Sequence, residues 1–335
     1  MKKHLYIILF VLPLIGFGQG WEQTYDIVPT EEYGKSIQQT MDGGYIILGN
    51  GMDYEFLIKT DSIGNEEWFQ IFDSELYNEG ESVQQTMDGG YIITGYTSSL
   101  VTESFEVFLM KTNENGEEEW SQTFGGTEND RGLSVQQTSD GGYIITGDTG
   151  SFGNGGKDVY LIKTNENGDS LWTKTFGGIG DDFGRSVQQT SDGGYVIFVK
   201  DLSSGESIHT VNGFGISMTL IKTDENGDQE CYQTFGTENI LMMTYSGQQT
   251  LDGGYVLLGR MFDFTYGNSS SEVLLIKTYE CNIINTSTIE LPTPTSKREL
   301  IKTTNILGQE NTTIKNQPII EIYDDGSVEK KYIID

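Results

Sequence analysis

The sequence predicts an all-β fold: a five-bladed β-propeller of four-stranded antiparallel blades, closed by its N-terminal strand, with a small C-terminal β module. Three observations predict it. The phrase Q-Q-T-x-D-G-G-Y occurs five times, at 38–45, 84–91, 136–143, 188–195 and 248–255. The same strand-like runs and tight-turn residues follow each copy in the same order. The one run missing after the last copy stands alone before the first. Repeats spaced by 46 to 60 residues have the length of a four-stranded propeller blade, not of the much shorter β-helix repeats.

The third unit shows the elements most clearly. Ser134 to Thr138 is a short strand, and Asp140-Gly141-Gly142 is tight-turn chemistry, since glycine reaches positive φ without a Cβ clash. Tyr143 to Gly147 is the return strand, and Val159 to Thr164 is the third. Asn165-Glu166-Asn167-Gly168 makes a second hairpin turn, and Leu171 to Phe176 is the fourth strand. The third strand recurs around Leu57-Ile58-Lys59-Thr60, Leu109-Met110-Lys111-Thr112, Leu220-Ile221-Lys222-Thr223 and Leu275-Ile276-Lys277-Thr278. The fourth recurs from Trp68, Trp120 and Cys231. No fourth strand follows Thr278, whereas Trp21-Glu22-Gln23-Thr24-Tyr25 precedes the first phrase as an orphan fourth strand. Pairing that strand into blade five closes the ring and leaves no open edge there. The propeller is therefore expected over residues 19–283.

These units resemble the secreted bacterial β-propeller repeats, on Asp140 to Gly147, Leu161 to Gly168 and Trp172 to Gly178. The resemblance covers most of the chain and implies the fold. Such repeats share no common activity, so it implies little about function.

Both ends carry delivery signals. Residues 1–18 read as a secretory signal peptide: Lys2 and Lys3, an apolar run from Leu5 to Ile15, then Gly16-Phe17-Gly18. The run is too short to anchor in a bilayer, and no later segment is apolar enough to span one. Residues 284–296, with Pro292 and Pro294 among Thr and Ser, read as a linker. Residues 297–335 resemble the type A C-terminal sorting domain of the type IX secretion system, on Ile306 to Glu310, Ile322 to Gly326 and the Lys-rich end. The usual Y-P-N-P opening is absent, which makes this an abbreviated variant. The resemblance implies the type IX machinery as a partner, passage through the outer membrane, and a secreted or surface location in a Gram-negative bacterium. An ordinary terminal β-hairpin is the alternative.

Formal net charge is −30. The propeller region holds 12 of the basic residues and carries nearly all the acidic excess, which disfavours nucleic acid and anionic membrane as partners. The charge serves solubility, or it attracts cations. Ca²⁺ is open at Asp224-Glu225-Asn226-Gly227-Asp228 and Asn165-Glu166-Asn167-Gly168-Asp169, although both lack the distal bidentate Glu of an EF-type loop and read sufficiently as hairpin turns. Past the signal segment His209 is the single histidine, so no His-based metal cluster or credible triad is expected, and no catalytic residues are assigned. Cys231 and Cys281 can pair in an exported chain or remain separate thiols.

Strand order separates two faces. The Asp-Gly-Gly and Asn-x-x-Gly turns share one face and barely vary. The connections between second and third strands, and between blades, lie on the other and differ from unit to unit. Recognition concentrates on such loops. The expected ligand-binding residues are Asn129, Asp130, Arg131, Asp181, Asp182, Arg185, Glu238 and Asn239, around the channel mouth. The function expected is an exported, monomeric binding protein for a glycan, polymer or protein. A carboxylate-based extracellular polysaccharide hydrolase or lyase is an alternative, and a structural adhesion component is another.

Overall fold

A computed structural model describes residues 21–27, 31–51, 54–73, 77–98, 104–201, 217–235, 240–263, 270–279 and 281, plus three C-terminal strands. The signal segment and His209 lie outside the described residues. The chain forms two compact units that divide between Thr286 and Ser287. Among the described residues there is no helix.

The first unit is a five-bladed β-propeller. Blade one is β1 (Tyr33–Gln39), β2 (Tyr45–Asn50), β3 (Tyr54–Thr60) and β4 (Glu66–Asp73). Blade two is β5 (Asn78–Gln85), β6 (Tyr91–Ser98), β7 (Phe105–Thr112) and β8 (Glu118–Phe124). Blade three is β9 (Asp130–Gln137), β10 (Tyr143–Thr149), β11 (Asp158–Thr164) and β12 (Ser170–Phe176). Blade four is β13 (Asp182–Gln189), β14 (Tyr195–Asp201), β15 (Ser217–Thr223) and β16 (Gln229–Phe235). Blade five is β17 (Ile240–Gln249), β18 (Tyr255–Asp263) and β19 (Ser270–Thr278). Each blade is an antiparallel meander in sequence order. Strands β1, β5, β9, β13 and β17 pack in succession and form the inner set.

The repeated phrase is the joint between blades. The first Gln of one blade accepts a hydrogen bond from the backbone N–H of the second Gln in the next: Gln38 from Gln85, Gln84 from Gln137, Gln136 from Gln189 and Gln188 from Gln249, at 2.6–2.7 Å. The second Gln then accepts from the turn of the preceding blade, as Gln137 does from Met87 N–H and Gln189 from Ser139 N–H, both at 2.8 Å. The inner strand is an edge of its sheet, so backbone N–H groups on its free side and in its turn have no partner there, and these amides satisfy them across the joint.

The rest of the phrase fixes its own hairpin. Asp140 accepts from the Thr138 hydroxyl and from Gly142 N–H, and it pairs with Lys163 Nζ at 2.9 Å. Lys163 is buried and also donates to Thr164 O. Burial works against the Asp140 carboxylate, but its bonds to Thr138 and Lys163 outweigh that and lower its pKa. The final Tyr packs against the Trp of the preceding blade: Trp68 on Tyr91, Trp120 on Tyr143 and Trp172 on Tyr195, each at 5.8 Å. Gly116 and Gly168 sit beneath Trp68 and Trp120, at φ +79° and +81°, where an added Cβ would fall within 2.6 Å of the indole. Glycine is thus required both for the turn and for the close approach.

The core lies between blades. In the second joint, Ile92, Val107 and Leu109 of blade two meet Val135, Tyr143, Ile145, Tyr160 and Ile162 of blade three. A fully buried side chain of this size contributes about 1.5–3 kcal/mol. The joints from blade one through blade five repeat this pattern.

The fifth joint differs from the others. Trp21 takes the fourth-strand Trp place against blade one, 5.8 Å from Tyr45, and Tyr25 OH donates to Gly64 O at 2.7 Å. The Trp21 segment thus stands in the outer-strand place that closes the ring, although no strand is assigned over residues 21–27 and the described sheet of blade five is β17–β19. Its aromatic side chains anchor the segment to blade one. Leu258, Val273 and Leu275 of blade five remain exposed.

The second unit contains β20 (Leu300–Asn305), β21 (Pro318–Tyr323) and β22 (Val328–Tyr332) in an antiparallel sheet of that order.

Candidate ligand-binding site

Each inner strand carries a β-bulge at the same place, between a Gly or Thr and the following Ser. The extra residues are Lys35, Glu81, Leu133, Arg185 and Tyr245. A bulge re-aims one side chain at a local bend in the strand. Here it gives each blade one freely variable residue at the channel mouth opposite the Asp-Gly-Gly turns. Arg185 feels the charges of Asp148, Arg131, Glu81 and Tyr245, so blades two to five converge there.

One side of the mouth is an aromatic shelf on a carboxylate. Glu79 accepts from the hydroxyls of Tyr77 at 2.9 Å and Tyr96, and pairs with Lys35 at 2.8 Å. Lys35 also pairs with Glu81 at 2.9 Å. Burial opposes the charge on Glu79, yet the bonds from Lys35, Tyr96 and Tyr77 hold its pKa below the usual range. Burial and the bond to Glu79 push Tyr77 up to about 12. The rings of Tyr77, Tyr96 and Phe105 lie 5.1–6.4 Å apart, and Tyr77 is 43% exposed.

The other side is cationic. Phe183, buried at the start of β13, has Arg131, Lys157, Arg185 and Lys200 within 5.5–6.0 Å of its ring centre. Arg131 lies 5.9 Å from the Tyr96 ring as well, which joins the two sides. Fully buried Asp148 pairs with Arg131 at 3.1 Å and Lys157 at 2.8 Å. Arg185 and Lys200 have no carboxylate within ion-pair distance among the described residues. Burial lowers the pKa of both; at Arg185 the Asp148 carboxylate opposes this and Arg131 adds to it, and at Lys200 the charge of Arg185 adds to it.

Among the residues expected from sequence, Arg131 and Arg185 are brought together at the mouth. Asp130 and Asp182 are buried and turned into the loops. Asp130 accepts from the Thr149 hydroxyl, Ser151 Oγ at 2.7 Å and Gly126 N–H at 2.8 Å, while Asp182 accepts from Gly178 N–H at 3.1 Å. These carboxylates hold the connections between blades. Exposed Asp181 accepts from Lys157 N–H and Asn129 from Phe105 N–H, both at 2.9 Å, so each braces a loop from the rim. Glu238 and Asn239 lie outside the described residues. Sequence reasoning missed Lys157, Lys200, Asp148 and the Tyr77–Tyr96–Phe105 shelf.

In each turn considered for Ca²⁺, one side-chain oxygen is spent on backbone N–H groups. Asp224 Oδ1 accepts from Asn226 and Asp228 N–H, and Asn165 Oδ1 from Asn167 and Asp169 N–H, at 2.8–2.9 Å. Among the described residues no group of three or more His, Cys, Asp or Glu side chains gathers as a metal site. Cys231 and Cys281 form a disulfide, with Cα atoms 6.0 Å apart, that ties β16 to the end of blade five. On the turn face, a polar groove of about 440 Å³ runs past Ser139, Gln188, Gln189 and Gln249, whose amides serve the joints.

No protein-family model and no curated protein matches the chain. Solved structures of similar shape include an endo-arabinase from Bacteroides thetaiotaomicron, with TM-score 0.42 and 10% identity over 76% of this chain and 96% of that one. A GH43 β-xylosidase/α-arabinofuranosidase from a compost microbial metagenome has TM-score 0.40 and 9% identity over 77% and 94%. The extracellular domains 1–2 of Drosophila Semaphorin 1b have TM-score 0.42 and 8% identity over 90% and 76%. Similarity at this level carries no argument about substrate or partner.

Proposed function

We propose that this chain is an exported binding protein that takes a glycan or polymer at the channel mouth opposite the Asp-Gly-Gly turns. One observation carries the reading. Five equivalent bulges hold five different side chains, Lys35, Glu81, Leu133, Arg185 and Tyr245, while the turns on the other face repeat almost unchanged. A scaffold that repeats its joints and varies its mouth is built to present a specific surface. Half-exposed Tyr77 beside Tyr96 and Phe105 offers ring faces to the apolar side of a sugar. Delivery through the signal segment and the type IX machinery belongs to the same proposal, with residues 297–335 as the address.

Two experiments test it. The protein purified without residues 1–18 is applied to an oligosaccharide array, with reducing-sugar release from the same polymers measured in parallel. Retention without release supports a binding protein, release identifies a hydrolase or lyase, and neither retention nor release overturns the glycan reading. For delivery, residues 297–335 are fused to a reporter carrying a secretory signal, in a bacterium with and without a functional type IX system. Export in both strains, or in neither, contradicts the address.

A further inference from the structure

We propose that the Phe183 side of the mouth is an anion-binding subsite, and that the ligand is a glycan bearing carboxylate or sulfate groups. This rests on the reading of the mouth as a glycan site and adds the chemistry of what it takes.

The propeller holds 12 basic residues against a formal net charge of −30, yet four of them, Arg131, Lys157, Arg185 and Lys200, surround a single ring. Among the described residues the carboxylate that faces them is Asp148, whose Oδ2 accepts from Arg131 and Lys157 while its buried Oδ1 accepts no hydrogen bond. Among the described residues Glu81 on blade two also acts on Arg185, and it is paired with Lys35. A ring face attracts each cation by about 0.5–1 kcal/mol but does not cancel the repulsion among four. Among the described residues the single charge of Asp148 leaves four half-buried cations under-compensated, with none of its hydrogen bonds reaching Arg185 or Lys200, so the cluster is completed by an anion from solution.

The geometry also gives the ligand a second feature. Arg131 lies between the Phe183 ring and the Tyr96 ring, so the cationic side continues into the aromatic shelf. A charged group on Arg185 and Lys200 leaves the adjoining ring of an oligosaccharide over Tyr77 and Tyr96. An acidic peptide shares the charge but gains less from a flat aromatic shelf. The surrounding acidity selects against long polyanions and favours a ligand whose anions are spaced along sugar rings.

The test is calorimetric titration of the full exported chain with four probes: an oligogalacturonate, its neutral methyl ester, a sulfated galactan oligosaccharide and poly-glutamate. The expected result is binding of the oligogalacturonate or the sulfated oligosaccharide, which distinguishes the two anions. Binding weakens at least ~10-fold in Arg185→Gln and in Lys200→Gln, each checked for folding by circular dichroism, and the methyl ester binds at least ~10-fold more weakly than its acid. Equal binding of acid and ester overturns the anion subsite while leaving the glycan reading intact. Binding of poly-glutamate alone overturns the glycan as carrier of the anion. Binding of none of the four overturns the subsite, and the oligosaccharide array then decides separately whether the mouth takes a neutral glycan.

Discussion

Trp21 meets Tyr45 edge-on at a centroid distance of 5.8 Å, the distance at which Trp68 meets Tyr91 one joint further on. Trp21, in a described segment with no assigned strand, thus reproduces a contact made elsewhere by strand-borne tryptophans. Trp21→Ala removes that contact and uncovers Gly64 and Tyr45. Because Trp21 is 47% exposed, the expected loss is below that of a buried tryptophan, about 1–2 kcal/mol, read from urea unfolding. A variant as stable as wild type would show that the N-terminal segment plays no part in holding blade one.

The glutamine ladder makes a sharper prediction. Gln136 Oε1 accepts from Gln189 N–H at 2.6 Å. Gln136→Leu keeps the volume and orphans that N–H, at an expected cost of about 1–3 kcal/mol. Glu166→Gln, on an exposed turn of the same blade, should change stability by less than ~0.5 kcal/mol.

Glu55 predicts an unusual pH dependence. It stands opposite Phe72, where Val107, Val159 and Met218 stand opposite Phe124, Phe176 and Phe235 in the next three blades. Burial, with a smaller push from Glu118, raises its pKa to about 8. The folded chain therefore keeps a proton that the unfolded chain loses above about pH 4.3, and stability falls by up to about 1.4 kcal/mol per pH unit between those values. Glu55→Val should stabilise the protein most at pH 8–9 and least at pH 4. A difference independent of pH between 4 and 9 contradicts this assignment.

The disulfide closes a loop of 50 residues across the joint between blades four and five. Its removal in Cys231→Ala/Cys281→Ala should cost about 2–4 kcal/mol, measured by denaturant unfolding. Reduction of the wild type should have a comparable effect.

The blades were legible in the sequence because each element repeats, and Asp-Gly-Gly with Asn-x-x-Gly gave the turns a mechanism. The role of Gln-Gln was not, because its partners are backbone amides of the neighbouring blade, a relation between units that no single unit displays. Asp130 reads as exposed in a polar loop. Its burial depends on Thr149 and Ser151, 19 and 21 residues away, closing over it. Arg131 and Arg185 were legible as loop-adjacent cations on the variable face. Lys157 and Lys200 were not, since nothing local places a Lys from β14, or one from the loop before β11, beside Phe183.

The central claim is that recognition resides at the bulged mouth and not on the repeated turns. Oligosaccharide-array binding by two charge-reversed proteins tests it most directly: Arg131→Glu/Arg185→Glu at the mouth, and Glu114→Lys/Glu166→Lys on the turn face. The account predicts that the mouth variant loses at least ~10-fold in affinity for whatever wild type retains, while the turn-face variant keeps it. Loss in the turn-face variant with the mouth variant unaffected would contradict it.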